Sequence, residues 1–162
     1  MSQTGSLQEL FDRLPQVGRV RWIGLRPARR ETIVTPNDVQ ADTQQGLIGD
    51  RYAGSSGKRQ VTLIQWEHLP AIASILGLET LDPALLRRNI SVSGINLLGL
   101  KGKQFQIGEA LLEYTGLCHP CSFMESTFGP GSYNAVRGHG GVTARVLSSG
   151  RIALTDSVSF VN

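Results

Sequence analysis

The sequence predicts a mainly β fold with peripheral helices, built as a closed or nearly closed β-barrel. Short segments rich in β-branched residues recur in the second half of the chain at spacings of about 8–12 residues, as in sheets whose strands follow one another through tight turns. Glycine falls between several of these segments, where such turns need it. At 162 residues the chain has the length of one domain. We therefore predict a single domain over residues 1–162, with its core over about 17–161.

The first half of the chain mixes helical and strand patterns. Ser6 and Glu9 have the spacing of a capping box, which predicts a short helical extension at the N-terminus. Gly77 follows an apolar helical stripe, and Asp82-Pro83 is an N-cap followed by proline at the first helical position. The predicted elements are a helix over 6–14, strands over 18–25 and 32–35, a turn-rich loop over 39–51, a strand over 59–64, and helices over 66–76 and 82–88.

From Asn89 onward, the pattern is one of short strands and glycine turns. Ser148-Ser149-Gly150 predicts a hairpin connection between two of them. The strands are predicted over 90–92, 105–107, 110–114, 142–147, 151–154 and 158–161. Strands so closely spaced are typical of a sheet that closes on itself, with the helices packed outside.

The charge balance is mildly basic and depends almost entirely on arginine. The net charge is +3, and 13 of the 16 basic residues are arginine, whose planar guanidinium suits phosphate and carboxylate. High genomic GC content would also enrich arginine, without any functional demand. Because the basic residues are scattered along the sequence and aromatic residues make up only 6%, we predict no binding to nucleic acid.

The sequence also predicts a cytoplasmic setting. No apolar run reaches the ~18 residues of a membrane span, and the N-terminus lacks the basic and apolar regions of a secretory signal. We therefore expect no membrane association. In the cytoplasm Cys118 and Cys121 would be reduced, so a structural disulfide is the weaker interpretation.

The reactive residues concentrate in the tetrapeptide Cys118-His119-Pro120-Cys121, which proline makes a turn. A thiolate is the nucleophile, the persulfide carrier and the ligand of soft metals. A protonated His119 would favour a thiolate nearby, and a helix beginning at Ser122 would place Cys121 at its N-cap, close to unpaired amides. We predict that Cys121 is the reactive thiol and Cys118 a secondary one. The alternative is that Cys121 is a buried small hydrophobe.

Polar residues that could hold an anionic ligand occur on two other segments. Arg87 and Arg88 end a predicted helix, where they would reach phosphate or complement the helix dipole. The amide of Asn89 can donate and accept hydrogen bonds across a strand edge. Asp50 and Arg51 follow a glycine on a loop, and would either bind ligand or pair with each other.

A glycine cluster completes the set of candidate residues. Gly138, Gly140 and Gly141 resemble a nest of backbone amides that holds an anion. We expect His139, within the cluster, to be exposed, and His68, on a helix face, to be solvated. The arginines and the glycine cluster together predict an anionic, phosphate-bearing ligand.

Several short motifs, in their order and spacing, resemble those of one family. They are Gly46-Leu47-Ile48-Gly49-Asp50-Arg51, Leu86-Arg87-Arg88-Asn89-Ile90, Pro120-Cys121, and Arg137-Gly138-His139-Gly140-Gly141-Val142 followed by Arg145-Val146. The chain resembles the MOSC domain, the C-terminal domain of molybdenum cofactor sulfurases, which also occurs as stand-alone bacterial proteins. The resemblance covers about 17–161 and implies a mainly β, barrel-like fold with peripheral helices.

The resemblance also implies a ligand and partners. It implies that the molybdenum cofactor (molybdopterin) binds here, and that Cys121 delivers sulfur or ligates the metal. The cofactor-binding residues that it implies are Arg87, Arg88, Asn89, Asp50, Arg51, Arg137, Gly138, Gly140 and Gly141. Members of the family hand sulfur to a cofactor, or reduce N-hydroxylated compounds within an electron-transfer system. The implied partners are therefore a small-molecule or cofactor ligand and a cysteine desulfurase or electron-transfer protein, and whether this chain is itself a catalyst stays open.

Two positions depart from the family pattern, and two other functions compete with the one it implies. Leu117, Cys118 and His119 stand where many members of the family have an arginine shortly before the Pro-Cys pair. Thr155-Asp156 stands where the family has Gly-Asp, which predicts a tight turn without its glycine. A dithiol redox protein would use Cys118 and Cys121, although that motif normally opens a helix after a strand in a βαβ unit. A structural zinc site would need both cysteines with His119 and His139 as its four ligands.

Overall fold

Seven strands close into a barrel in the computed structural model, which describes residues 5–51 and 56–162. The strands, in chain order, are β1 (Gly18–Ile23), β2 (Asp38–Asp42), β3 (Gly46–Leu47), β4 (Val61–Gln65), β5 (Ile90–Ser93), β6 (Gln104–Ile107), β7 (Ala110–Leu117), β8 (Val142–Ser148), β9 (Gly150–Ala153) and β10 (Ser157–Val161). The barrel runs in the order β1–β10–β6–β7–β8–β4–β5, and β5 pairs with β1 to close it. Only β4 and β5 pair in parallel; the other described neighbours are antiparallel.

The barrel interior follows the two-residue period of its strands. Phe105 and Ile107 of β6 and Ala110 and Leu112 of β7 are fully buried, while the residues between them are more exposed. Buried side chains from all seven strands form one apolar cluster with them. This closed interior leaves the ends of the barrel as the places where loops can build a site.

In the described part of the chain, four short α-helices lie outside the barrel. They are α1 (Leu7–Phe11), α2 (His68–Leu76), α3 (Phe123–Phe128) and α4 (Ser132–Val136), and 3₁₀ turns lie at Pro83–Leu86 and Leu97–Leu100. A second apolar cluster joins Ile64, on the outer face of β4, to helices α2, α3 and α4 through residues such as Ile72, Met124 and Val136. Strand β4 is therefore buried on both faces.

The predicted barrel, the capping box of Ser6 and Glu9, and the left-handed Gly77 at the end of α2 are confirmed. Two predictions in the first half are wrong. The segment 39–51 is not only a loop, because β2 and β3 lie in it and form a three-stranded sheet with β9. The segment 32–35 is not a strand; it contributes a single bridge between Leu25 and Val34.

The predicted helix over 82–88 is also shorter than expected. It is a single 3₁₀ turn that ends at Leu86, because Arg87 adopts the left-handed conformation at φ +56°. Strand β7, by contrast, continues three residues beyond its predicted end, to Leu117. Both changes bring charged or reactive residues to the same end of the barrel. Within the described chain, no helix has the length and apolar character to cross a membrane.

Candidate functional site

One level of the barrel brings the candidate residues together. Ile90 of β5 lies beside both Ile23 of β1 and Leu63 of β4, and Val142 of β8 lies beside both Leu63 and Leu117 of β7. Segments that are far apart in sequence therefore leave or enter the barrel at one end. These are the loop after β1, the turn before β5, the cysteine loop after β7 and the glycine loop before β8.

A cavity of about 610 Å³ opens among these segments, and we call it the arginine cavity. It has the size of a small-molecule site. Cys121 lines it, together with the first residues of α3 and with His119. Among the described residues that line it there is no carboxylate, and seven are arginine: Arg26, Arg29, Arg30, Arg51, Arg59, Arg87 and Arg88.

Asp50, which does not line the cavity, holds the side chain of Arg26 in position. Its fully buried carboxylate accepts hydrogen bonds from the backbone amide and from Nε and Nη2 of Arg26, at 2.7, 3.2 and 3.0 Å. The backbone amide of Arg51 donates to the Arg26 carbonyl at 2.7 Å. The predicted pair between Asp50 and Arg51 is therefore not formed, because the Asp50 carboxylate pairs with Arg26. Such a bidentate pair holds a guanidinium in one orientation.

Arg87 holds the turn that carries Arg29 and Arg30. Its Nη1 and Nη2 donate to the carbonyls of Glu31 and Ala28 at 2.7 and 3.3 Å. Burial, and then the nearby positive charge of Arg26, lower the pKa of Arg87 from its usual value. The side chain of Arg30 lies over the Phe123 ring, with 5.8 Å between its guanidinium carbon and the ring centroid. Arg87 therefore both lines the cavity and fixes its neighbours.

Arg88 is buried and ties three segments together. Its Nε donates to the Gly140 carbonyl at 2.8 Å, its Nη1 to the Leu86 carbonyl at 2.9 Å, and its Nη2 to the His119 carbonyl at 3.5 Å. Burial lowers the pKa of Arg88, and the charges of the two cysteines act in the opposite direction. The guanidinium thus bridges the cysteine loop and the glycine loop.

The two cysteines occupy different environments. Cys118 is 2% exposed, whereas Cys121 is exposed, and both are free thiols. The Cys118 amide donates to the Gly141 carbonyl at 2.8 Å, and Nη2 of Arg59 contacts the Cys118 sulfur at 3.8 Å. Cys121 lines the arginine cavity and Cys118 does not. The interpretation of Cys121 as a buried hydrophobe is therefore wrong, and it describes Cys118 instead.

The predicted helix cap at Cys121 is not formed. Helix α3 begins at Phe123, its N-cap is Ser122, and no side chain caps it. Cys121 lies one residue further out, where its carbonyl accepts a hydrogen bond from Met124 at 3.0 Å. The positive charge around the thiol therefore comes from arginine side chains more than from a capped helix end.

The glycine loop packs closely on its neighbours. A side chain at Gly140 would overlap the Cys118 carbonyl, and one at Gly141, where φ is +92°, would overlap the Leu63 carbonyl. Gly138 has a φ of +85°, which favours glycine. Arg137, Gly138 and Gly141 lie along a second cavity rather than the arginine cavity. The predicted nest of amides and the arginines are thus on different cavities.

Asn89 is fully buried and lines neither cavity. Its side chain accepts hydrogen bonds from the amide and hydroxyl of Thr62, at 3.0 and 3.2 Å, and donates to the Gly24 carbonyl at 3.0 Å. It therefore joins β4, β5 and the end of β1 below the arginine cavity. This is the buried hydrogen-bonding position that the sequence predicted for it.

The histidines differ from expectation. His68 and His139 are both partly buried and face each other, with 3.4 Å between their Nδ1 atoms and nearly perpendicular rings. Neither is a freely solvated side chain. His119 is exposed and lines both cavities. In residues 5–51 and 56–162, no group of three or more His, Cys, Asp or Glu side chains is placed to hold a metal ion, so the four-ligand zinc hypothesis has no such cluster behind it.

Four arginines of the arginine cavity were not identified from the sequence: Arg26, Arg29, Arg30 and Arg59. Three of them lie within residues 26–30 and Arg59 lies 29 positions after Arg30, so only the fold brings Arg59 to the others. The available signal was the arginine excess, with three arginines inside the pentapeptide 26–30. Seven of the 13 arginines line one cavity, so the scatter along the sequence was misleading.

Comparisons with known proteins agree with this architecture. A family model of the MOSC domain matches residues 32–159. Nothing matched among curated protein sequences. The crystal structure of the YUAD protein from Bacillus subtilis has a TM-score of 0.73 and 18% identity, over 90% of this chain and 97% of that one. The YiiM structures from Escherichia coli and Geobacillus stearothermophilus have TM-scores of 0.68 and 0.69, both at 19% identity, over 89% and 90% of this chain and 70% and 75% of theirs.

Proposed function

The chain belongs to the MOSC domain family, and we propose that it binds a molybdenum cofactor in the arginine cavity, where Cys121 ligates the metal or carries sulfur. The observation that supports this most directly is an exposed thiol in a cavity of about 610 Å³ lined by seven arginines. The family is associated with molybdopterin-type cofactors and with sulfur transfer.

The residues of the cavity suit such a ligand. Molybdopterin is anionic and ends in a phosphate, and guanidinium groups bind phosphate in a bidentate manner. No described lining residue is acidic, so nothing in the wall opposes that charge. Cys121 offers the soft thiolate that a metal of this kind accepts. When bound, the cofactor would supply a redox-active metal centre.

The arginines of the cavity divide into two groups in this proposal. Arg29, Arg30 and Arg59 are exposed and make no hydrogen bond to an acidic side chain among the described residues, so they are available to an anionic ligand. Arg87 and Arg88 donate mainly to backbone carbonyls and hold the walls in place. Their guanidinium groups also add to the positive charge around Cys121.

Sulfur transfer would proceed by exchange at one sulfur atom. The Cys121 thiolate would attack the terminal sulfur of a persulfide on a cysteine desulfurase partner. A new S–S bond would form at Cys121 while the S–S bond of the donor breaks, and the donor cysteine would leave as a thiolate. No net oxidation occurs, so only the loaded partner is needed.

Reduction of an N-hydroxylated compound would make a different demand. It consumes two electrons and two protons and releases water. Those electrons would come from a separate electron-transfer protein. We place both activities in the cytoplasm, where Cys121 would remain reduced.

The test is to express the chain in a host that makes molybdenum cofactor, and to measure molybdenum, oxidised pterin fluorescence and persulfide sulfur per chain. The intact protein is expected to retain molybdenum with pterin, or persulfide sulfur after incubation with a desulfurase and cysteine. Cys121→Ser should remove most of either signal. Arg29→Ala combined with Arg30→Ala should lower cofactor retention severalfold, because two phosphate-binding charges are lost.

Two controls make the result specific. Arg151→Ala removes a charge from the surface pair with Asp38, away from the cavity, and should leave retention unchanged. Cys118→Ser should also retain most of the signal, whereas a dithiol redox protein would lose its function with either cysteine. Retention of neither cofactor nor sulfur by the intact protein would refute the proposal.

A further inference from the structure

A second cavity, of about 600 Å³, lies beside the cysteine loop. We call it the leucine cavity, because Leu98 and Leu117 line it and are 51% and 48% exposed. Among the described residues it shares only His119 with the arginine cavity. The two cavities therefore have separate described walls apart from His119.

The leucine cavity carries apolar surface that the protein itself leaves uncovered. Leu98 and Leu117 are both about half exposed, although each is a large aliphatic side chain. Val142 and Pro120 continue the same wall and are buried. Contiguous apolar surface inside a concavity of this volume is typical of ligand sites.

The polar side chains of this cavity divide into two groups. Gln65 is satisfied by the protein: its amide nitrogen donates to the Ile95 carbonyl and its oxygen accepts from the Leu97 amide. The side-chain oxygen of Asn96 likewise accepts from the Leu98 amide. These groups shape the wall, and their main hydrogen bonds are already made.

Three other polar side chains remain available. The side chains of Asn134, Arg137 and His119 line the cavity and make no hydrogen bond to any described residue. Asn134 and Arg137 are exposed. All three can donate a hydrogen bond, and the guanidinium of Arg137 can only donate. A ligand here would therefore need a hydrogen-bond acceptor.

Charge separates this cavity from its neighbour. Arg137 is the one arginine among its described lining residues, and no carboxylate is present, against seven arginines around Cys121. His68 adds little positive charge at neutral pH, because burial and the adjacent His139 lower its pKa. Multiply charged anions would be drawn to the arginine cavity, and cations would be repelled by Arg137.

We propose that the leucine cavity is a second ligand site, for an uncharged, largely apolar organic molecule that carries a carbonyl-type hydrogen-bond acceptor. Its apolar part would lie against Leu98 and Leu117, and its acceptor would receive hydrogen bonds from Asn134 and Arg137. The ligand would touch the cysteine loop at Cys118 and His119. The site is independent of the cofactor proposal, since it uses none of the seven arginines.

The test uses two probes of one shape and different charge, benzamide and benzamidine. Each is titrated into protein with 13C-labelled leucine methyl groups, and the shifts are followed by NMR. Benzamide is expected to shift the Leu98 and Leu117 methyl signals along a saturating curve in the millimolar range. Benzamidine, which presents a cation to Arg137, should bind at least about fivefold more weakly.

Matched variants locate the binding. Leu117→Asn should weaken benzamide binding at least about fivefold, while Leu85→Asn, at a leucine of similar exposure outside both cavities, should not. Arg29→Ala, in the arginine cavity, should leave benzamide binding unchanged. The proposal is overturned if benzamide gives no saturable shift up to about 20 mM, a concentration at which fragment-sized ligands normally bind. It is also overturned if benzamidine binds equally well, or if Leu117→Asn has no effect.

Discussion

Nε of Arg88 lies 2.8 Å from the carbonyl oxygen of Gly140, so a buried guanidinium holds the glycine loop against the turn that precedes β5. The same side chain reaches the carbonyl of His119 in the cysteine loop. Arg88→Lys keeps the charge but cannot reproduce the planar fork. We expect the free energy of unfolding to fall by about 1–3 kcal/mol, because at least one buried carbonyl loses its donor.

Chemical denaturation measures this change, and alkylation of Cys118 shows where it acts. Cys118 is buried, so it should be alkylated faster once the cysteine loop loosens. Arg137→Lys, at an exposed arginine without these bonds, should change stability by no more than about 0.5 kcal/mol. Equal losses in the free energy of unfolding in the two variants would show that the hydrogen bonds of Arg88 do not stabilise the fold more than an exposed arginine does.

The positive charge of the arginine cavity should change the relative rates at which an anionic and a neutral reagent alkylate Cys121. Iodoacetate is an anion and iodoacetamide is neutral, yet both alkylate a thiolate. We expect the rate with iodoacetate divided by the rate with iodoacetamide at Cys121 to fall at least about threefold in the Arg29→Ala, Arg30→Ala double variant. The same ratio should fall with added salt. Mass spectrometry of the modified peptides gives both rates, with Cys118 as the slow internal reference.

A rate ratio that ignores both salt and the two substitutions would contradict this view of the cavity. Arg151→Ala is the matched control, since it removes a positive charge from a surface pair with Asp38. Its ratio should equal that of the unmodified protein. The comparison separates a local field at the thiol from the overall positive charge of the chain.

The barrel was predictable because its signals are local. Alternation in β6 and β7 and the glycine turns between strands can be seen in the sequence alone. Strand β2, with the sequence Asp-Val-Gln-Ala-Asp, has little β propensity, and it exists because β9 and β3 pair with it. Tertiary pairing overrode local preference there.

The site was predictable only in part, for the same reason. Cys118, His119 and Cys121 lie in one tetrapeptide, so the sequence brought them together. Arg26 and Arg59 join them only because Ile23, Ile90, Leu63, Val142 and Leu117 share one level of the barrel. That alignment depends on strand register, which no local pattern contains.

The histidine pair predicts a dependence of stability on pH. Burial and the neighbouring His139 lower the pKa of His68 below its usual value of 6.5, against an opposing effect of Glu67. Near pH 6 the folded state therefore binds fewer protons than the unfolded chain. The contribution of His68 is complete above about pH 6.5 and is lost as the pH falls through its folded pKa.

Thermal unfolding between pH 8 and pH 5 tests this, and His68→Gln should flatten the fall of the melting temperature at acid pH. The residual slope in that variant comes from other titrating groups. His119→Gln, at an exposed histidine outside the pair, should keep the original slope. If His68→Gln also kept it, the pKa of His68 would not be lowered in the folded state as described.

The glycine loop gives a steric prediction. A β-carbon at Gly140 would overlap the Cys118 carbonyl, so Gly140→Ala should push the cysteine loop outward. We expect lower stability and faster alkylation of Cys118. Gly116→Ala is the control, because its β-carbon would meet only Thr143 Oγ1 at 3.6 Å, an ordinary contact. Similar alkylation rates in the two variants would mean that the loop tolerates the overlap.

Thr155 occupies the turn that the sequence singled out for its missing glycine. Its φ is +71°, a region that β-branched residues rarely enter. Its amide donates to the Val20 carbonyl at 2.9 Å, and the following Asp156 accepts from the Ala153 amide at 2.8 Å, so the turn is held from both sides. The left-handed conformation costs a non-glycine residue roughly 1–2 kcal/mol, and glycine loses roughly 0.5–1 kcal/mol more backbone entropy on folding.

Thr155→Gly should therefore raise the free energy of unfolding by about 0.5–1 kcal/mol, because the relief of strain exceeds the entropic loss. The control is Ser157→Gly, at the first residue of β10, where φ is not positive and only the entropic loss remains. That variant should be less stable by about 0.5–1 kcal/mol. Denaturant titration of both variants gives the two signs. A loss of stability in Thr155→Gly would mean that the threonine side chain contributes more to this turn than its backbone strain removes.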